Sequence, residues 1–216
     1  MAEVFNTIVR SVVVSGAATA LASLWSIPLA YTLIFRSRGS VLLEAIIETL
    51  VGVPTVVLGL LLYILFSSSG PLGFLGLLYT PHAIIIGESI LVTPLIVSMG
   101  YRSLRGTAHL YYELALSIGA DRIQRMRIVV GQSLPGVVAA CITGFSRAIG
   151  ELGIAMMVGG NITGYTRVMT TAIALEVTKG NFEEAIILGV TLLLITISIS
   201  VSVKLISRVW MIWRSS

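Results

Sequence analysis

The sequence has 216 residues, of which 56% are hydrophobic and only 11% are charged, and its formal net charge is +4. A soluble globular domain carries about 25% charged residues, so a soluble fold of this chain would expose large apolar patches and aggregate. The composition therefore excludes an ordinary soluble domain and predicts a membrane protein. The only cysteine, Cys141, excludes an intrachain disulfide.

Five apolar segments are long enough to cross the hydrocarbon core of a bilayer, for which a helix needs about 20 residues. In chain order they are residues 11–35, 49–66, 81–101, 135–158 and 185–203. The first is too long for the apolar region of a signal peptide, which has about 7–15 residues, so we interpret it as a retained span. Backbone groups cannot stay unpaired in lipid. The sequence thus predicts an all-α polytopic membrane protein of about five helices, folded as a single domain over residues 1–216.

Three segments between these spans have recognisable patterns. Residues 67–73 form a Ser/Gly/Pro cluster typical of a turn. Residues 102–134 have apolar positions at helical spacing around Gly119, which predicts two short amphipathic helices broken at that glycine. Residues 159–184 open with two glycines and continue into a helical pattern that ends near Gly180.

The distribution of basic residues predicts the orientation of the chain. Ten lie on one side of the predicted spans and three on the opposite side. The first group is Arg36, Arg38, Arg102, Arg105, Arg122, Arg125, Arg127, Lys204, Arg208 and Arg214; the second is Arg10, Arg167 and Lys179. Because loops rich in Lys and Arg stay in the cytoplasm, we expect the N-terminus outside and the C-terminus in the cytoplasm, with Trp210 and Trp213 as interfacial anchors. The basic excess is then a topology signal, and no nucleic-acid partner is predicted.

The segment 113–121 in the predicted cytoplasmic stretch carries a motif. It resembles the Glu-Ala-Ala…Gly loop of ABC importer permeases of the methionine and molybdate type, with Leu114 in place of the second alanine. The family's Ile-x-Leu-Pro group is absent from its usual place, where residues 129–132 stand. The resemblance implies a short coupling helix that docks on a separate ATPase subunit. The residues expected to take part are Glu113, Ala115, Gly119, Ala120 and Asp121.

The resemblance extends over about residues 10–207. Residues 51–59 with 70–73 look like the second span and outer turn of molybdate-type permeases, and residues 145–153 with 157–162 look like their fourth span and following loop. Residues 163–176 are most similar to the tungstate-specific branch. The resemblance therefore implies an importer of tungstate, with molybdate as second choice, located in the plasma membrane.

The same resemblance implies the partners. Two copies of the chain would form one path, two ATPase subunits would bind from the cytoplasm, and an oxyanion-binding protein would dock outside. The outer residues expected to face that protein are Gly159, Gly160, Asn161 and Arg167. The chain has no Gly-x-x-x-x-Gly-Lys-Ser/Thr phosphate loop, so we expect the chain itself not to be an enzyme and ATP hydrolysis to occur in a partner. No cofactor is expected.

Charged residues inside a predicted span are costly and are candidates for function. Arg147 and Glu151 lie four residues apart in the fourth span, where they can pair, and we expect them to line the gate between two copies; an ion pair that only packs against a neighbouring span is the alternative. Glu88 is expected either in the outer vestibule or near the outer membrane interface, and Glu48 near Arg36 or Arg38 at the inner interface. His82 and His109 have no neighbour at metal-ligand spacing, so no metal site is predicted.

Other function classes stay open at this stage. A permease for sulfate or phosphate would have the same composition. A self-contained channel or secondary transporter would work without an ATPase and often shows two related halves. A membrane-embedded enzyme would need converging catalytic side chains, for which the sequence offers few candidates.

Overall fold

The computed structural model describes residues 2–35 and 40–215 and contains only helices and turns in these ranges. Arg36 and Arg38, and the side chains of Arg208, Trp210, Trp213 and Arg214, lie outside the described residues. The helices are α1 (Ala2–Phe35), α2 (Ser40–Val51), α3 (Thr55–Phe66), α4 (Pro81–Ser117), α5 (Arg122–Ile149), α6 (Gly153–Gly159), α7 (Met169–Lys179) and α8 (Phe182–Ser215), with a 3₁₀ turn at Gly73–Leu75.

Four of the described helices contain segments that are long and apolar enough to cross a membrane. These segments are Glu3–Ile34, Pro81–Ala108, Ile123–Ile149 and Phe182–Leu205. A fifth span results if the bent pair formed by α2 and α3 is counted as one. The prediction of an all-α polytopic membrane protein with about five spans is therefore confirmed.

The second span differs from the prediction because it is broken. The axes of α2 and α3 differ by 92° across the short break before Thr55. Pro54 has no backbone N–H to continue a helix. The 12 residues of α3 extend about 18 Å, which is less than the roughly 30 Å of a hydrocarbon core. The second span, which was predicted within residues 49–66, therefore changes direction inside that range, and α2 runs nearly perpendicular to α3.

The fourth span also has different bounds from those predicted. Helix α5 passes through Pro135, where a helix start was expected, and ends at Ile149, nine residues before the expected end. A break at residues 150–152 separates it from the short helix α6. The freed backbone groups around an internal proline can be satisfied locally, which is why proline is tolerated inside membrane helices.

The core is built on α1, α4 and α5. Helix α1 buries a stripe of small residues at every third or fourth position, and such residues let helices approach closely in a membrane. The stripe consists of Thr7, Ser11, Ser15, Ala18, Ala22, Ser26 and Ala30. Between α4 and α5 the approach is closer still, because a Cβ added at Gly136 would overlap Ser103.

Candidate functional site

Arg147 and Glu151 form the expected ion pair, with 2.7 Å between Nη1 and Oε2. They are not on one helix, as the sequence suggested, because α5 ends before Glu151 and Gly150 is its C-cap. The second carboxylate oxygen of Glu151 instead accepts a hydrogen bond from the backbone N–H of Ile154, at 3.2 Å, in the first turn of α6. A carboxylate is favourable there because helix N-termini carry partial positive charge. The pair therefore bridges two helices across a break.

The pair lies beside a concavity of about 510 Å³. Its lining comes from both broken helices, namely Thr55 and Val56 of α3, Arg147, residues 150–153, and Met156 and Met157 of α6. The Arg147 side chain is 41% exposed, whereas that of Glu151 is 2% exposed. At Gly153 the two helices touch, since a Cβ there would lie 2.8 Å from Thr55 Oγ1 and 3.1 Å from the Val56 nitrogen. The two helix breaks thus meet at one polar cleft.

Glu88 is enclosed by protein, although the sequence suggested a position near the outer interface. It is 1% exposed, and its Oε2 atom has no hydrogen-bond partner among the described residues. Ser15 of α1 is its neighbouring polar side chain, and Arg147 and Glu151 are close enough to interact with it electrostatically. This cluster thus contains two buried carboxyl groups and one partly exposed guanidinium group, a balance that does not suit direct anion binding by Glu88.

The segment expected to couple to an ATPase is a tight turn between α4 and α5. Gly119 has φ +74°, and the backbone N–H groups of Gly119 and Ala120 donate to the carbonyls of Leu116 and Ala115, both at 3.0 Å. These two bonds form a Schellman motif, in which glycine is favoured. Asp121 caps α5 reciprocally with Gln124. The break at Gly119 is therefore as predicted, while the side chain of Glu113 lies outside the described residues.

The helices that flank this turn are not short, as predicted, but are the ends of two long ones. Helix α4 has 37 residues and α5 has 28. Each therefore continues from a candidate span directly into the turn. Near the turn, Leu114, Leu116 and Ile118 are 54–78% exposed, whereas Ala115 is buried. Exposed apolar side chains beyond the end of a span are typical of a surface that another protein covers.

At the opposite end of the bundle, an arginine fixes the loop between α6 and α7. Arg10 of α1 donates to the carbonyls of Arg167 at 2.9 Å and Gly164 at 2.7 Å. Arg167 in turn donates to the Asn161 side chain at 3.1 Å. Asn161 and Arg167 thus order their own loop, which sequence reasoning missed.

Two glycines at the start of this loop allow close packing. Gly160 has φ +70°, and a Cβ there would lie 2.6 Å from the Tyr79 ring. Gly159 packs against Ile84 in the same way, since a Cβ would lie 2.6 Å from its Cδ1 atom. Ile162 and Tyr165 of the same loop are exposed, with exposed fractions of 43% and 47%.

Two ion pairs between α2 and α4 were also missed by sequence reasoning. Arg102 pairs with Glu48, and Arg105 with Glu44 at 3.3 Å. Glu48 was expected near Arg36 or Arg38, which lie outside the described residues. The spacing in the sequence could have indicated these pairs. The two acids lie four residues apart and the two arginines three apart, so each set lies on one face of its helix.

Among the described residues, no three His, Cys, Asp or Glu side chains converge in a way that could hold a metal ion.

Comparison of the chain with known proteins identifies its family. Residues 12–210 match the family model described as "Binding-protein-dependent transport system inner membrane component". The chain is 39% identical over 199 residues (92% of this chain and 87% of the relative) to the tungstate uptake system permease protein TupB of Peptoclostridium acidaminophilum. It is 36% identical to a probable anion ABC transporter permease protein of Haloferax volcanii, with 88% and 84% of the two chains covered. A sulfate transport system permease protein, CysT of Salmonella typhimurium, is 31% identical over 74% of this chain and 62% of its own.

The family model covers most of the chain, and the described residues include four helices, or five with the bent pair, that could cross a membrane. The chain therefore belongs to the family of inner membrane components of binding-protein-dependent transport systems and is a multi-pass permease subunit of the plasma membrane.

Proposed function

We propose that this chain is the membrane-spanning subunit of an ATP-driven oxyanion importer and that its substrate is tungstate, with molybdate second. One observation carries the choice of substrate, namely the 39% identity to a tungstate permease over 92% of the chain. Identity to a sulfate permease is lower, at 31% over 74% of the chain, which makes sulfate the weaker alternative.

The exposure of Arg147 supports a path formed by two copies. Its side chain is 41% exposed in the single chain, and the residue lies within a segment suited to cross the membrane. A charged group facing lipid at that depth is costly, so the cleft beside it is expected to face water or protein. A second copy apposed to this cleft would enclose a path, with Arg147 and Glu151 at its gate and the chain acting as one transmembrane domain.

The coupling surface supports an ATPase partner. The exposed apolar side chains at the turn, Leu114, Leu116 and Ile118, would bury in a cleft on the ATPase. In the proposed cycle, ATP binding closes the ATPase pair and moves this turn, and hydrolysis resets it. The orientation follows from this arrangement, because the turn must lie in the cytoplasm and the Arg10–Arg167 loop outside.

The outer loop is the proposed docking place for an oxyanion-binding protein. Because Asn161 and Arg167 hold the loop in one conformation, it presents a preformed surface, and a preformed surface loses less entropy on binding. The exposed side chains of Ile162 and Tyr165 are the contacts we propose, while Gly159 and Gly160 allow the loop to pack on α4 and on the turn before it.

The test is reconstitution of the complex in proteoliposomes. The permease is combined with the ATPase and the oxyanion-binding protein proposed above, and uptake of tungstate, molybdate and sulfate is measured with and without ATP. We expect ATP-dependent uptake with tungstate preferred, and none when the ATPase is omitted. Uptake by the permease alone would favour a self-contained channel or secondary transporter, and a preference for sulfate would change the substrate.

A further inference from the structure

We propose that the two ion pairs between α2 and α4 form a latch between two parts of the molecule. It would transmit movement of the turn at residues 118–121, the coupling turn, to the proposed gate at Arg147 and Glu151. The latch consists of Glu48 with Arg102 and Glu44 with Arg105. These four are positioning residues, since none lies at the cleft beside Arg147. The inference rests on the proposed function, because it requires an ATPase that moves the turn.

The first step is that α2 is held mainly by α4. Apart from the two ion pairs, α2 is anchored by Ile47, which packs against the buried cluster that contains Val97, Tyr101 and Leu104 of α4. The other face of α2 carries Leu42, Ile46 and Leu50, which are 47–70% exposed. An amphipathic helix with such a face suits the membrane interface. Lipid does not hold a helix at one position within the plane of the membrane interface. The position of α2 in that plane is therefore set by its contacts with α4.

The second step is that α4 links the latch to the coupling turn without interruption. The same helix carries Arg102 and Arg105 and continues to Ser117, immediately before the turn at Gly119. Arg102 and Ser117 are 15 helical steps apart, which is about 22 Å along the helix. A displacement of the turn by the ATPase would therefore move the two arginines with it.

The third step is that α2 leads directly to the gate. The break after α2 is followed by the first residues of α3, and Thr55 contacts α6 at Gly153. Residues 151–153 and Thr55 line the cleft with Arg147. Because a Cβ at Gly153 would be too close to α3, there is little slack at this contact. A shift of α2 would press on the segment that holds the Arg147–Glu151 pair.

The energetics make the latch separable from folding. The side chains of Arg102 and Arg105 are 63% and 64% exposed, and ion pairs between exposed side chains contribute little to stability. Neutralising these ion pairs should therefore leave the complex assembled. It should remove only the contact through which α4 moves α2.

The test compares transport with hydrolysis in the reconstituted complex. The neutralised variants are Glu44→Gln with Glu48→Gln, and Arg102→Gln with Arg105→Gln. The charge-exchange variant has Glu44→Arg and Glu48→Arg together with Arg102→Glu and Arg105→Glu. The control is Glu176→Gln with Lys179→Gln, which removes an exposed pair within α7. Tungstate uptake, ATP hydrolysis and complex assembly are measured for each.

We expect both neutralised variants to lose about fivefold or more of the anion imported per ATP hydrolysed while the complex stays assembled. The charge exchange should restore most of that ratio, and the control should keep it. A wild-type ratio in the neutralised variants, a parallel loss of assembly, or no rescue by the exchange would overturn the latch alone. Absence of ATP-dependent tungstate uptake by the wild-type complex would overturn the proposed function and the latch with it.

Discussion

Arg147 and Glu151 are joined by a 2.7 Å ion pair that links the last turn of α5 to the break before α6. The two partners differ in their surroundings, because the guanidinium group reaches the cleft while the carboxylate is buried and also accepts the Ile154 N–H. Loss of one partner is therefore not equivalent to loss of the other.

This asymmetry predicts the effect of neutralising each residue. Arg147→Gln leaves a buried carboxylate without its cation and should destabilise the protein by about 3 kcal/mol. Glu151→Gln should cost less, because the remaining cation reaches the cleft and the Gln carbonyl can still accept the Ile154 N–H. Thermal unfolding in detergent measures both, and an equal loss would contradict this account. The gate hypothesis requires in addition that each single change alters anion uptake; unchanged uptake in both would exclude it.

The α4–α5 contact predicts a severe effect at Gly136. Gly136→Ala would place a Cβ onto the Ser103 side chain, and overpacking of this kind typically costs about 1–3 kcal/mol. The matched control is Gly16→Ala in α1, where no atom lies within 4 Å of an added Cβ; it should be neutral or slightly stabilising, since alanine favours helices over glycine. Both are measured by thermal unfolding, and a loss at Gly16 equal to that at Gly136 would refute the packing argument.

The turn between α4 and α5 predicts a backbone effect at Gly119. No atom lies within 4 Å of an added Cβ, so Gly119→Ala acts through the positive φ, at a cost of about 1–2 kcal/mol. We expect weaker binding of the ATPase and lower uptake with the bundle intact. Gly106→Ala in α4 is the control, because it has open space and no positive φ. Binding of the ATPase to the solubilised permease measures the difference, and equal affinity for both variants would contradict a role for the turn's shape.

The end of α7, outside the candidate spans, predicts a pH dependence. Hydrogen bonds from Lys179 and then Asn181 lower the pKa of Glu176 below its usual value. A carboxyl group with a lowered pKa stabilises the folded state above its unfolded pKa, and this contribution is lost as the pH falls through the folded pKa. Glu176→Gln should therefore be less stable than wild type near neutrality and equal to it in acid. Unfolding temperatures of both proteins, measured from neutral to acidic pH, test this prediction. A difference between the two proteins that grows as the pH falls would contradict it.

Much of the fold was predictable because membrane insertion depends on length and hydrophobicity. The first, third and fifth spans were recognised within a few turns of their observed ends. Gly119 and Gly180 were recognised as helix ends, since a left-handed residue after a helix favours glycine. The break at residues 150–152 was missed because the apolar pattern continues across it. The 92° bend at residues 52–54 was not predicted either, because hydropathy does not record a change of direction.

The sequence by itself determined that this chain spans a membrane, that a glycine breaks the helices between α4 and α5 and that Arg147 and Glu151 pair, since composition, spacing and local backbone preference suffice for each. Only the tertiary structure decided that the pair bridges two helices, that two broken helices meet at one cleft and that Glu44 and Glu48 join Arg105 and Arg102. These contacts link segments that are distant along the chain or that change direction between helices, and such contacts depend on how helices pack against one another.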